Sequence, residues 1–544
     1  MKRTAGVLIA GLIGLVLFRA VLVMAEPEKR INNTDELQMV LATADRFLGV
    51  PYVHSAWPGG PLQFAMLPVM GADMALHRQG QPVPDAVAKY LSELYRSPWR
   101  MLRAQQLMVV LWGGAGLAFF GWALFRATGR VELAAYSSLI VAAAPVFWSY
   151  WGTGVADVVS FTFAALACLV ALRRGDDDWR WGWVGLWFGL AVASKLTIAL
   201  MAPFLIGLYF SRDNRVSHRA GGKLVLAGAV GFFLACPYAW IEPLRFVKTV
   251  LGNAARPGVP LGWSGALGLI GTHLGWPALV LGAVGALTLW QQPRRAALIG
   301  AGLSVVLAGL VFSRAGVVYD RYVLPLILPL AFLAVHGLIK ISGVVTHWRP
   351  AWRGGVLTGL AVAATLACGA GQIRAERRHF TERRERTEAT LDRVLQDADA
   401  QLVAVQFSPY MLARFGGQCS REDLLRLADG VSQTPTDVMA SHPGALISSR
   451  ALEVLGPNFN AWEQTLAARY RAMAAYAGGR KREILFWGPP ALVRRFGLLT
   501  PEQARAAVRG RKDAIFIGWG TQIAGDADEE VDQAALLVEH GGAL

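Results

Sequence analysis

The chain has 544 residues, of which 54% are hydrophobic and 17% charged, and its mean hydropathy is +0.38. That is too apolar and too sparsely charged for a soluble enzyme of this length, and it points to a membrane protein. The net charge of +15 does not indicate nucleic acid, because no basic motif with interleaved aromatics accompanies it; arginine-rich cytoplasmic loops account for it.

Apolar windows recur from Ala5 to Ala370 and then stop. The first, at 5–25, follows Lys2 and Arg3 and reads as an uncleaved span; a signal peptide ending near Val23-Met24-Ala25 is the alternative. Arg19 in its outer part either snorkels to the interface or faces inward near a phosphate site. An external loop from Glu26 to Arg103 follows. It opens with Asn33-Thr34-Asp35-Glu36, whose carboxylates are candidate catalytic groups, with Thr34 or Asp35 as the N-cap of a helix over 37–47 as the plainer reading.

Further spans are expected at 107–125, 133–150 and 155–172. The turn Gly152-Thr153-Gly154-Val155-Ala156-Asp157 pins an acid at the outer mouth of a helix pair, as a functional group or a helix cap. The stretch 181–210 would form a helix of about 45 Å if continuous, longer than a hydrocarbon core of about 30 Å. Lys195 sits at its middle, so two short helices meeting near Ser194 and Lys195 are expected. Spans at 224–240, 274–290, 296–312, 322–339 and 356–370 complete the count.

Splitting 181–210 puts Arg212, Arg215, Arg219, Lys223, Arg294, Arg295, Lys340, Arg349 and Arg353 inside. Arg245, Lys248, Arg256, Arg314 and Arg321 fall outside, so the excess is cytoplasmic as the positive-inside rule requires. The result is about eleven spans, with the N-terminus inside and the tail outside. The run from Arg374 to Arg386 opposes that side, diluted by Glu376, Glu382, Glu385 and Glu388.

Two domains are expected: a membrane module over 1–373, including the loop 26–103, and a small soluble α/β domain over 374–544 with strands near 402–407, 445–447, 484–487 and 514–519. Cys168, Cys236 and Cys368 lie in apolar windows and Cys419 in the tail, which leaves no disulfide within the tail and no zinc spacing. Besides Lys195, Arg321 in Tyr319-Asp320-Arg321-Tyr322 is a cation at the outer membrane level, suited to a phosphate or to an ion pair with Asp320; His273 is a weaker member of the same set.

These pieces resemble the GT-C class of membrane glycosyltransferases, in particular the protein O-mannosyltransferase-like family that includes lipid A aminoarabinose and galacturonic acid transferases. The resemblance is carried by Asp35-Glu36-Leu37, Trp57-Pro58-Gly59-Gly60-Pro61-Leu62, the Asp157 turn, Gly189-Leu190-Ala191-Val192-Ala193-Ser194-Lys195 and Arg321-Tyr322-Val323-Leu324-Pro325, over about residues 1–340. It implies a polyprenyl-phosphate sugar as donor, an acceptor hydroxyl on a glycan, lipid or protein, and a single inverting displacement with Asp35 as base. It further implies Glu36 as the partner of Asp35, and Lys195, Arg321, Tyr322 and His273 on the donor phosphate. Asp157 then orients the acceptor or the cations, and no metal is required. Trp57-Pro58-Gly59 stands where such relatives often carry a paired His-Pro-Pro. The expected place is a bacterial inner membrane, multi-pass, with site and tail facing the periplasm. A transporter or flippase of lipid-linked sugars, or a membrane-anchored envelope assembly protein, are the competing readings. Paired broken helices would mark the former, and one broken hairpin is foreseen.

Overall fold

The computed structural model describes residues 2–25, 60–77, 99–173, 178–211, 218–241, 261–289, 295–315, 320–347, 402–406, 475–477, 481–487, 500–519 and 536–540, with isolated positions between them. The chain divides into two compact units: Met1–Pro27, Ser55–Ala65 and Arg103–Glu376 in one, Glu28–His54, Met66–Leu102 and Arg377–Leu544 in the other.

Before the tail, the described helices longer than four residues run α1 (Lys2–Ala25), α2 (Gly60–His77), α3 (Trp99–Thr128), α4 (Val131–Ala143), α5 (Pro145–Tyr150), α6 (Asp157–Ala171), α7 (Trp179–Ser194), α8 (Ala202–Phe210), α9 (His218–Ala235), α10 (Gly262–Leu274), α11 (Trp276–Leu289), α12 (Arg295–Arg314) and α13 (Ile327–His347), with a single turn at Tyr238–Ile241. Two 3-10 segments, Leu196–Met201 and Asp320–Leu326, lead into α8 and α13. Among the described residues, three helices are long and apolar enough to cross a membrane, Arg100–Arg126, Arg295–Arg314 and Arg321–Ile341. Shorter apolar helices accompany them at Gly11–Met24, Leu133–Ala143, Asp157–Ala171 and Leu196–Phe210. The expected span at 356–370 lies outside the described residues.

Several expected spans are interrupted, each for a local reason. Pro145 opens α5 and holds Ala144 at φ −63, ψ 126, so 133–150 is a broken pair instead of one helix. Helix α9 stops at Ala235, with Pro237 two residues on. The run 181–210 breaks at Lys195, which is extended at φ −155, ψ 118. One bent pair was not foreseen: α10 and α11 meet at 104° about Gly275, whose φ of +92 suits glycine.

Close approach of backbones holds the bundle together, as expected where lipid supplies no hydrophobic drive between helices. A methyl on Gly189 of α7 would collide with the Gly228 carbonyl of α9, and one on Gly300 of α12 with the Pro203 carbonyl of α8. The α8–α12 seam also carries two interhelical hydrogen bonds, from Phe204 N–H to Ser304 Oγ at 3.2 Å and from Ala297 N–H to Ser211 Oγ at 2.6 Å.

In the other unit the tail contributes a five-stranded sheet of order β2-β3-β1-β4-β5. The strands are β1 (Leu402–Gln406), β2 (Ala475–Ala477), β3 (Lys481–Trp487), β4 (Ala514–Trp519) and β5 (Leu536–His540). β1 runs parallel to both β3 and β4, while β2 and β5 add antiparallel edges. Helix α14 (Pro501–Val508) packs on β1, β3 and β4. Its Ala504 and Val508 bury against Leu402, Ala404, Ala514 and Phe516. Val403, Ile515 and Ile517, on the opposite face, are buried as well, the pattern of central strands covered on both sides. Thr500 and Gln503 close a capping box at the start of α14. The expected strand at 445–447 lies outside the described residues.

Candidate functional site

The site is built from chain ends that the breaks expose. Asp157 is the first residue of α6, where the helix dipole favours an anion. Ala156 is the N-cap, so the carboxylate is not the cap. It pairs instead with Lys195: Nζ lies 3.4 Å from Asp157 Oδ1, and the residues are only 6% and 2% exposed. Lys195 therefore does not snorkel. Its ammonium also lies 5.7 Å from the centroid of the Tyr322 ring. Arg321, next to Tyr322, is buried. The 3-10 segment that carries both packs against α5, α6, α10 and the 3-10 turn that follows Lys195.

An ion pair withdrawn from water costs several kcal/mol in desolvation per ion before its Coulomb gain is counted. Such a pair inside an apolar bundle marks a functional position more readily than a stabilising one. Lys195 can be held there because the break gives it an extended backbone. Its N–H still bonds to the Ala191 carbonyl at 3.0 Å, and its own carbonyl accepts from Ile198 N–H at 3.1 Å.

The turn before Asp157 is fastened from two helices. Trp151 Nε1 donates to the Val110 carbonyl at 2.9 Å, and Gln105 Nε2 donates to the Gly154 carbonyl at 2.5 Å, both from α3. From α1, Arg19 Nε donates to the Trp151 carbonyl and Nη2 to the Trp148 carbonyl at 3.2 Å. Sequence reasoning missed both roles. Arg19 is buried and turned inward, so the snorkelling reading is corrected.

His273 is half-buried in the last turn of α10, the helix that packs on the Arg321 segment. Gly60 lies against the end of α9, since a methyl there would overlap the Ala235 carbonyl. Ala235 packs with Ala193, two residues before Lys195. Part of the quoted first-loop stretch thus reaches the same end of α7 and α9; Trp57, Pro58 and Gly59 lie outside the described residues.

In the other unit Glu36 is fully buried on a helical face shared with Met39, Val40 and Thr43. Asp35 lies outside the described residues, as does the Asp320 side chain. Nearby in sequence, the buried Tyr90 hydroxyl donates to Asp73 Oδ2 at 2.9 Å, and Arg100 Nη2 donates to the same oxygen at 2.8 Å. Burial, and then the Asp73 charge, push the Tyr90 phenol well above its ordinary range.

Residues 82–241 match the model of the dolichyl-phosphate-mannose-protein mannosyltransferase family. The matched stretch contains Asp157 and Lys195, and it supports the GT-C glycosyltransferase resemblance seen in the sequence. No curated protein matches the chain. Two crystal structures of ArnT from Cupriavidus metallidurans are similar to it, one in the apo state with a TM-score of 0.48 and one bound to undecaprenyl phosphate with a TM-score of 0.46. Each is 14% identical, over 94% of this chain and 93% of that chain.

Proposed function

We propose that this chain is a GT-C-class glycosyltransferase that moves a hexose or pentose from a polyprenyl-phosphate carrier to an acceptor hydroxyl at the periplasmic face of a bacterial inner membrane. The observation that carries the reading is the buried Lys195–Asp157 pair beside Tyr322 and Arg321, inside the bundle and partly inside the stretch matched to a family named for a sugar on a polyprenyl-type phosphate.

The displacement follows from what such a donor needs. The acceptor oxygen attacks the anomeric carbon while Asp35 takes its proton, and the bond from that carbon to the phosphate oxygen breaks with inversion. Glu36 stands beside Asp35 in the chain as its partner. The departing lipid phosphate is already a good leaving group and requires charge stabilisation more than protonation. Lys195 and Arg321 supply it, with Tyr322 and His273 lining the phosphate side. Asp157 aims the Lys195 ammonium and balances its charge before the donor arrives. The scheme calls on no metal ion.

The test is transfer of radiolabelled sugar from a polyprenyl-phosphate donor pool in membranes carrying wild-type, Asp35→Asn or Asp157→Asn protein at matched expression. Transfer by the wild type and its loss in Asp35→Asn are expected, with chelators making no difference. A wild type no better than empty membranes, given suitable donors and acceptors, overturns the reading. The bent pair at Gly275, which joins the break at Lys195, gives the flippase alternative a specific observation of its own. That alternative requires labelled donor to cross the bilayer without any new glycosidic bond.

A further inference from the structure

Arg19 stands more than a hundred residues from Asp157 in the chain, yet it holds the turn from which Asp157 emerges. Its guanidinium bonds two carbonyls, those of Trp148 and Trp151, at the C-terminal end of α5, where a cation is favoured. The same group stacks 5.0 Å from the Trp148 ring centroid. Trp151 is fully buried and is tied by its indole to Val110. Gly152, the next residue, has φ +113 and no room for a methyl, which would lie 2.7 Å from Val23 Cγ2 and 3.3 Å from Arg19 Nε. The backbone between Trp151 and Asp157 therefore has little freedom, and its position is set jointly from α1 and α3.

We propose that Arg19 is a positioning residue: by clamping the Trp148 and Trp151 carbonyls it fixes the Asp157 carboxylate against Lys195 and so aims the ammonium at the donor phosphate. The inference rests on the transferase reading for its consequence and on geometry alone for the clamp. A planar guanidinium fork holds two carbonyls in a fixed geometry; a lysine ammonium, a point charge on a flexible stem, can bond them but fixes their positions less. Arg19→Met should release the turn and Arg19→Lys should keep part of the restraint.

Two measurements on full-length protein in lipid nanodiscs separate the clamp from the activity. The first is the rate at which an amine-acylating ester modifies Lys195, followed by peptide mass spectrometry. Labelling is expected to rise about tenfold in Arg19→Met, the scale set by losing a hydrogen bond to a charged group, to rise less in Arg19→Lys, and to match wild type in Leu17→Ala, a change at an exposed position of the same helix. The second is steady-state sugar transfer, where kcat should fall about 100-fold in Arg19→Met, as for a displaced catalytic group, with KM nearly constant and partial recovery in Arg19→Lys. Lys195 labelling that stays at the wild-type rate in Arg19→Met overturns the proposal, whatever happens to transfer. Equal labelling in Arg19→Lys and Arg19→Met also overturns it, because general loosening would not distinguish a cation from an apolar side chain. If no protein transfers sugar while labelling follows the expected order, the clamp stands and the transferase reading falls.

Discussion

Of the apolar runs broken among the described residues, those interrupted at Lys195 and at Gly275 break in different ways. At Lys195 the chain is extended, and a charged side chain reaches across to Asp157 on α6. At Gly275 the chain turns through a backbone conformation that L residues rarely adopt, and the helices on either side diverge by 104°. The first break presents a charged side chain; the second changes direction. A break made by a charge should matter to chemistry more than to folding, and a break made by glycine should matter to folding more than to chemistry.

The largest effect is expected at the charged break. Lys195→Leu removes a cation from the proposed phosphate site, and transfer should fall about 100- to 1,000-fold, the scale for removing one donor to a developing oxyanion. The same change leaves Asp157 buried without its partner, a state that costs roughly 3–5 kcal/mol in measured cases. Pairing Lys195→Leu with Asp157→Asn should recover most of the thermal stability and none of the activity. A double variant as unstable as the single one would mean that the break, not the ion pair, holds α6 and α7 together.

The glycine break should answer in the opposite sense. Gly275→Ala forces a methyl-bearing residue into φ +92, ψ 121, at a cost of about 1–3 kcal/mol. A lower melting temperature in detergent is expected, with a loss of kcat much smaller than in Lys195→Leu, since Gly275 brings no side chain to the proposed site and His273, two residues before it in α10, only lines the phosphate side. A large loss of kcat with unaltered stability would assign the α10–α11 bend a part in the reaction and favour a moving element over a fixed corner.

The same contrast explains what the sequence disclosed. A lysine inside a long apolar run is visible to anyone counting charges, and the helix break near Ser194 and Lys195 followed from the length of the run and that lysine at its middle. Gly152 and Gly154 around Asp157 likewise announced a turn. Gly275 gave no such signal, because it is one glycine among several in an apolar stretch, and only its dihedral distinguishes it. Helix α10 was read as part of an external loop because Gly262, Gly265, Gly268 and Gly271 dilute its apolar residues. The break at Ala144 was legible in principle, since Pro145 restricts the residue before it. Arg19 could not be settled from sequence: an arginine near the end of a span fits both orientations, and the carbonyls that decide between them lie far along the chain. The pairing of Asp157 with Lys195 is of the same tertiary kind. Each residue was visible alone, and only the fold sets them 3.4 Å apart.

The smallest effect tests whether the charged break has a second, backbone cause. Ser194 ends α7 and donates its hydroxyl to the Leu190 carbonyl at 2.9 Å. Serine bonds of this i−4 type loosen and bend helices slightly, so Ser194 is a competing explanation for where the helix stops. If Lys195 and its carboxylate partner set the break, Ser194→Ala should change stability by less than about 0.5 kcal/mol and leave transfer at the wild-type rate. Should Ser194→Ala instead lower transfer as far as Asp157→Asn does, the extended conformation of Lys195 depends on the serine bond. The ion pair would then be a consequence of the break and not the reason for it.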